Sequence, residues 1–217
     1  MSSVIYLHGF ASSLAGRKIA LLREAFAGSD FQLVAPDLNR PSFERLDFDA
    51  MVEAAVAEAG KTRPAVVIGS SLGALVALEA ARRGVAVPLV LVAPALGFGV
   101  RWTEKLAPGD PVTFFHHGQG RDLTIHRRFF EQMARVDADE DAPTVPVTVV
   151  MGENDESVPF AGVERTWRRW KVSGRLAEGS RFVAIPGGDH GLVDHVGEIA
   201  SEVRRLAART GEPARRA

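Results

Sequence analysis

The sequence predicts an α/β fold, a mostly parallel sheet of about six strands with helices on both faces and one long insertion. Three observations carry this reading. Apolar β-type runs alternate with segments of helical spacing along nearly the whole chain, the pattern of repeated strand–helix–strand units. Several of those runs are continuously apolar, among them Val4-Ile5-Tyr6-Leu7, Ala65-Val66-Val67-Ile68 and Leu89-Val90-Leu91-Val92-Ala93, as a strand covered on both faces requires. The chain has 217 residues, of which 46% are hydrophobic and 24% charged, enough for one domain (residues 1–217) with a full core.

Each element has its own local cause. Val4 to Leu7 forms the first strand and ends at His8-Gly9-Phe10. A Ser/Gly loop, Ala11 to Gly16, leads into a helix from Arg17 to Phe26, where Ile19, Leu22 and Phe26 recur at helical spacing. Phe31 to Ala35 is a second strand, stopped by Pro36, which has no N–H for the ladder. Leu46 to Ala59, rich in Ala and Glu, predicts a helix with Gly60 as its stop. Ala65 to Ile68 is the third strand, and Leu72 to Arg83 the helix after it, stopped by Gly84. Leu89 to Ala93, followed by Pro94, is the fourth strand, and Val147 to Met151 the fifth. Ala161 to Lys171 is helical, Phe182 to Ile185 is the sixth strand, and Leu192 to Arg209 is a closing amphipathic helix. The last residues, 211 to 217, are expected to fray.

Residues 97 to 142 break the rhythm. They lie between the fourth and fifth strands and carry Trp102, Phe114, Phe115, Phe129 and Phe130. Connections of this length are usually functional. A cap or lid over the C-terminal edge of the sheet is expected, because open α/β sheets bind their ligands there. Phe114, Phe115, Phe129 and Trp102 are the candidate lining of a substrate pocket beneath it.

Bulk properties exclude several classes. The formal net charge is −1, so there is no basic field to hold nucleic acid. The chain has no cysteine, which removes disulfides, thiol catalysis and thiolate metal sites. No apolar run approaches the ~18 residues of a spanning helix. Met1 to His8 lacks the basic start and long apolar core of a signal peptide, so the cytoplasm is the default compartment. No histidines and carboxylates recur at metal-ligand spacing, and neither metal nor cofactor is expected.

The most specific chemical signal is Gly69-Ser70-Ser71-Leu72-Gly73, a G-x-S-x-G between a predicted strand and a predicted helix. In that setting the pattern builds a nucleophile elbow, a tight turn that thrusts a strained serine out of the backbone. Positions two before and two after the serine must be small. Gly69 and Gly73 satisfy this around Ser71, whereas Ser70 would have Ile68 and Leu72 there. Ser71 is therefore the candidate nucleophile.

A serine hydroxyl needs a base to take its proton, and the base needs an acid to orient it and stabilise its charge. Candidates follow Ser71 in the chain order Ser, Asp, His. Asp155 lies in the loop after the fifth strand, with Glu153 and Glu156 as rivals. His190 lies in Gly187-Gly188-Asp189-His190-Gly191 after the sixth strand. Its rival His195 falls inside the predicted last helix. His116, His117 and His126 lie in the insertion, where exposed polar positions are the plainer reading. The amide of Leu72, at the helix N-terminus, and that of Phe10, in the loop after the first strand, are the candidate oxyanion-hole donors. His8 is expected to brace that loop.

These residues resemble the α/β-hydrolase superfamily and, within it, the small bacterial YqiA-like esterases. The matching pieces are Tyr6-Leu7-His8-Gly9-Phe10 with Ser12-Ser13, then Gly69 to Gly73, Pro94-Ala95, Gly152 with Asp155 and Val158, and Gly187-Gly188 with His190. Leu14 stands where those esterases suggest proline, and the insertion is longer than the resemblance suggests. The chain begins at what corresponds to the third strand of the full eight-stranded fold. The resemblance implies hydrolysis of short-chain carboxylic esters without a cofactor, with Ser71, Asp155 and His190 as triad. The same residues also suit a thioester, a lactone or a carbon–carbon bond, and a binding protein that keeps the pocket without turnover is the non-enzymatic alternative.

Overall fold

The structure is a computed structural model that describes residues 1–103, 106, 108–136 and 141–210. The predicted fraying of residues 211–217 lies outside the described residues, as do positions 104, 105, 107 and 137–140 of the insertion.

In chain order the elements are β1 (Ser2–Leu7), α1 (Arg17–Phe26), β2 (Phe31–Val34), α2 (Phe48–Thr62), β3 (Val66–Ser70), α3 (Leu72–Arg82), β4 (Leu89–Val92), α4 (Phe98–Thr103), β5 (Val112–His116), β6 (Arg121–Ile125), α5 (Arg128–Met133), β7 (Val147–Gly152), α6 (Phe160–Val172), β8 (Arg181–Ile185) and α7 (Val196–Thr210). Six strands form one sheet in the order β2-β1-β3-β4-β7-β8, and every pair is parallel. β3, β4 and β7 are buried along their whole length, which is why their sequences are unbroken apolar runs. Helices α1 and α7 pack together on one face, and α2 packs on α3 on the other. This is the sequence-predicted architecture, and strand order reverses between β1 and β3. The crevice at such a reversal is where open α/β sheets place their sites.

Two helix boundaries differ from expectation. α2 starts two residues late, because Asp47 accepts the Ala50 amide at 3.0 Å and caps the first turn. It also runs through Gly60, which has open space around it. The chain turns instead at Arg63, whose φ is 46° and whose amide reaches the Ala59 carbonyl. The closing helix starts at Val196, preceded by a 3-10 turn over Val193–His195, so His195 is not in it.

The insertion holds strands that the sequence reading missed. β5 and β6 make a separate antiparallel hairpin, flanked by the short helices α4 and α5. Along β5 the side chains alternate: Phe114 turns inward and Phe115 outward, and His116 is fully buried. The exposed polar role expected for His116 is therefore wrong. Its Nδ1 accepts the Gln119 amide at 3.1 Å, and its ring packs edge-on to Phe43. His126 remains on the surface beside Asp110.

A buried charged cluster ties α7 to the far half of the sheet. Glu202 is 3% exposed; it accepts from Arg205 at 2.9 Å, from Arg181 at 2.8 Å and from the Thr148 hydroxyl at 3.1 Å. Removing Glu202 takes the shared acceptor from two arginines that keep part of their side chains in water and from the buried Thr148 hydroxyl. Glu202→Ala should therefore lower stability by about 1–3 kcal/mol in urea denaturation, while Ser71, on the other half of the sheet, keeps its surroundings. No helix among the described residues is long and apolar enough to cross a membrane.

Candidate active site

Ser71 lies at the junction of β3 and α3 with φ 55° and ψ −115°, a conformation that non-glycine residues adopt only under local constraint. The constraint is visible. The Ser71 amide donates to the Val92 carbonyl at 2.9 Å, and its own carbonyl accepts from Ala74 at 3.0 Å and Ala95 at 3.2 Å. The glycines around it leave no room for a side chain. A methyl group on Gly69 would lie 2.5 Å from the Gly73 carbonyl and 2.6 Å from Ala74 Cα. One on Gly73 would strike the Leu7 carbonyl and sit 2.7 Å from that of His8. The second crowding differs from the expected one: Gly73 is small because the end of β1 passes against it.

The three side chains nominated from sequence come together here. His190 Nδ1 is 2.8 Å from Asp155 Oδ2, and its Nε2 is 3.2 Å from Ser71 Oγ. An ionised carboxylate only accepts, so the imidazole proton sits on Nδ1 and the Nε2 lone pair faces the serine hydroxyl. The second Asp155 oxygen accepts the amides of Ser157 at 2.9 Å and Val158 at 2.7 Å. These bonds aim the carboxylate inward and leave it 8% exposed. Glu153 and Glu156 point to solvent. The loops carrying acid and base are laced to each other, with the Asn154 amide donating to the Gly188 carbonyl at 2.9 Å. Gly152 and Gly188 allow that approach, since a methyl group on either would meet the other's backbone. His195 instead pairs with Glu198 at 3.1 Å, away from this cluster.

Gly9 passes directly over Ser71, so that a methyl group there would lie 3.2 Å from Ser71 Cβ. Its loop is held by His8, which is 2% exposed. Nε2 of His8 accepts the Leu38 amide at 3.0 Å, and Nδ1 donates to the Gly9 carbonyl at 2.9 Å. Phe10 follows, with its ring among Phe43, Phe98, Trp102, Phe114, Phe129 and Phe130 at centroid distances of 5.2 to 6.1 Å. The insertion is thereby packed onto the loop that passes over Ser71. Leu72 opens α3, where a first-turn amide has no acceptor within its own helix.

Two cavities flank the Ser71–His190 pair. One, of about 280 Å³, is rich in aromatic rings; Phe10, Phe98, Trp102, Phe114 and Phe115 are on its wall, with Arg101 and Val158 beside them. Phe129 does not reach it: that side chain is 1% exposed and stacks behind Phe10, which corrects its assignment to the pocket lining. The other, of about 470 Å³, has a largely apolar surface that also carries a set of polar side chains, Ser12, Ser13, Lys18, Ser70 and Tyr6 among them. His117 borders both. Larger surface clefts, such as the one of about 610 Å³ beside Arg83 and Glu131, do not touch Ser71.

The second cavity holds a group the sequence reading missed. Lys18 Nζ donates to Ser70 Oγ at 2.9 Å, and Tyr6 shares the same hydroxyl. Burial pushes the lysine down to about 8, an effect opposed by the Asp189 and Asp155 charges. Burial also pushes the Tyr6 phenol up to about 12, with Ser70 acting against it. In the sequence, Lys18 reads as an ordinary solvated residue of an amphipathic helix.

Comparison with known structures places the same architecture in several enzymes. Est1E from Butyrivibrio proteoclasticus, solved with ferulic acid bound, is 21% identical with a TM-score of 0.74, covering 96% of this chain and 90% of its own. Mouse alpha/beta hydrolase domain-containing protein 10 is 17% identical with a TM-score of 0.72, covering 96% and 90%. The monoacylglycerol lipase of Paleococcus ferrophilus is 18% identical with a TM-score of 0.69, covering 95% and 94%. At such identities the likeness establishes the fold, which is that of the α/β hydrolases. A comparison with curated proteins finds no match. The model of the uncharacterised protein family UPF0227 matches residues 3–175, and the chain belongs to that family.

Proposed function

We propose that the protein is a serine hydrolase that cleaves carboxylic esters of short acyl chain. The observation that carries this reading is the continuous hydrogen-bonded line from Asp155 through His190 to Ser71 on a strained elbow. Ser71 Oγ attacks the ester carbonyl as His190 Nε2 takes its proton. Asp155 holds the imidazole in place and stabilises its positive form. The Leu72 and Phe10 amides receive the developing negative oxygen. His190 then returns the proton to the departing alcohol, leaving an acyl-enzyme. Water, activated by the same histidine, attacks that ester and releases the acid and free Ser71. No cofactor takes part.

Residues 97–142 act as a cap within a single domain. The aromatic cavity beneath it, at about 280 Å³, is at the small end for ligand pockets and favours short chains.

The test is hydrolysis of p-nitrophenyl acetate, butyrate, octanoate and palmitate by the wild type and by Ser71→Ala. Turnover should be strongest on acetate or butyrate and vanish in the mutant. A folded wild type that cleaves no ester faster than Ser71→Ala, and that a fluorophosphonate does not label, would overturn the reading. Labelling without ester turnover would move the bond to a thioester or a carbon–carbon bond.

A further inference from the structure

The second cavity has a composition that the reaction alone does not require. It shares Phe10, Ser71, His117 and His190 with the aromatic pocket, and Arg17, Lys18, Ser12, Ser13, Ser70 and Tyr6 are on its own wall. No aspartate or glutamate lines it. Among the described residues, no carboxylate lies within ion-pair distance, 4.0 Å, of the Lys18 ammonium. The two acidic groups that lysine feels are already engaged: Asp155 holds His190, and Asp189 Oδ1 accepts the Leu192 amide at 2.7 Å. One of the three ammonium donors goes to Ser70, which leaves the others for a ligand. Lys18 is partly buried, and a cation drawn partly out of water without a contacting counterion favours a ligand that supplies the opposite charge.

We infer that the cavity bounded by Lys18, Ser12, Ser13 and Ser70 binds an acid group of the substrate, so that the physiological ester carries a carboxylate or phosphate on one of its two limbs. Lys18 supplies the charge, the serine hydroxyls supply further donors, and Arg17 at the rim adds a longer-range attraction. The adjoining aromatic cavity, which has Arg101 on its wall beside its aromatic rings, takes the other limb. This inference rests on the esterase reading for its substrate, but its binding half does not depend on turnover. It also accounts for Ser70, the variable residue of the elbow. A small hydroxyl there lets the lysine approach within two residues of the nucleophile's flanking glycines, where a larger side chain would fill the cavity.

The depressed lysine gives the binding a pH signature. An acid group is held while Lys18 is protonated, below about 8, and is released as pH rises above that value. The groups that face it are Tyr6 on β1, Ser70 on β3, Arg17 beside it on α1, His117 in the loop after β5, His190, and the Asp155 and Asp189 carboxylates in the loops after β7 and β8.

The experiment compares matched ester pairs in wild type, Lys18→Met and Ser71→Ala. On the acyl limb, p-nitrophenyl hemiglutarate is set against the glutaramate ester, whose carboxamide has the same shape without charge, and against the 4-phosphonobutyrate ester. On the alcohol limb, 4-acetoxybenzoate is set against 4-acetoxybenzamide. For at least one limb, wild-type kcat/KM should favour the charged member by about tenfold or more, and Lys18→Met should bring the pair within about threefold. The better of carboxylate and phosphonate identifies the acid group. In the wild type alone the ratio should collapse above pH 8, which tests the idea even where Lys18→Met does not fold. No charge preference on either limb, or an equal loss on charged and neutral members in Lys18→Met, would overturn the inference and leave Lys18 as a support for the elbow. If the wild type cleaves no ester, calorimetric titration of glutarate and 4-phosphonobutyrate into the Ser71→Ala protein decides the binding half. Saturable binding weakened at least about tenfold by Lys18→Met supports it, and no binding ends it.

Discussion

His190→Ala should lower kcat on p-nitrophenyl butyrate by at least ~10³-fold, whereas His195→Ala should leave it within about twofold. The two histidines are close in sequence and differ in what surrounds them. His190 has one ring nitrogen on a buried carboxylate and the other on the Ser71 hydroxyl. His195 is in a 3-10 turn and pairs with Glu198 on the same short stretch of surface. A loss of this size would arise because, without His190, the hydroxyl must lose its proton to water. Comparable losses in both variants, each shown to be folded, would sink the assignment. Asp155→Asn, which keeps the shape of the acid, should reproduce much of the His190→Ala loss. It can turn its amide N–H toward Nδ1 and so favour the tautomer that presents no lone pair to Ser71.

Most of the sheet and the three polar residues of the site were readable from the sequence for one physical reason. A buried parallel strand is written as an unbroken apolar run, and the residues just beyond its C-terminal end are placed by that run alone. Ser71, Asp155 and His190 each sit just beyond such a run, after β3, β7 and β8. Phe10 stands in the same relation to β1. What escaped was written in contacts between distant residues. Lys18 and Ser70 are 52 positions apart, and nothing in Arg17-Lys18-Ile19-Ala20-Leu21-Leu22 distinguishes an inward lysine from a solvated one. The hairpin was a different failure, since a local signal existed. Val112-Thr113-Phe114-Phe115-His116 is β-rich, and Gly118-Gln119-Gly120 supplies its turn, with Gly120 at φ 64°. Reading those phenylalanines as one apolar surface hid their alternation. Phe114 and Phe115 both border the cavity, Phe115 while 52% exposed, whereas Phe129, from α5, supports Phe10 from behind.

Gly73→Ala should destabilise the protein by about 3 kcal/mol or more and abolish ester hydrolysis in whatever remains folded. The added methyl group meets backbone, the Leu7 carbonyl first and that of His8 next, and neither can step aside. Leu7 is in register with Gly69 across the β1–β3 ladder, so moving its carbonyl breaks sheet pairing beneath the elbow. Moving α3 instead drags Leu72 and the Ser71 backbone with it. His8 binds Leu38 and the Gly9 carbonyl, so a displaced β1 end also shifts the Phe10 loop. Gly60→Ala is the control of opposite sign. Gly60 is within α2 with no atom near the position of a new methyl group, and alanine there should stabilise by about 0.5–1 kcal/mol through helix propensity and a less flexible unfolded chain. Urea denaturation of the two variants beside wild type measures both. A Gly73→Ala protein as stable and active as the wild type would mean that the end of β1 is not packed against α3 as the structure has it. The scaffold of the oxyanion donors and the strained geometry of Ser71 would then both need another origin.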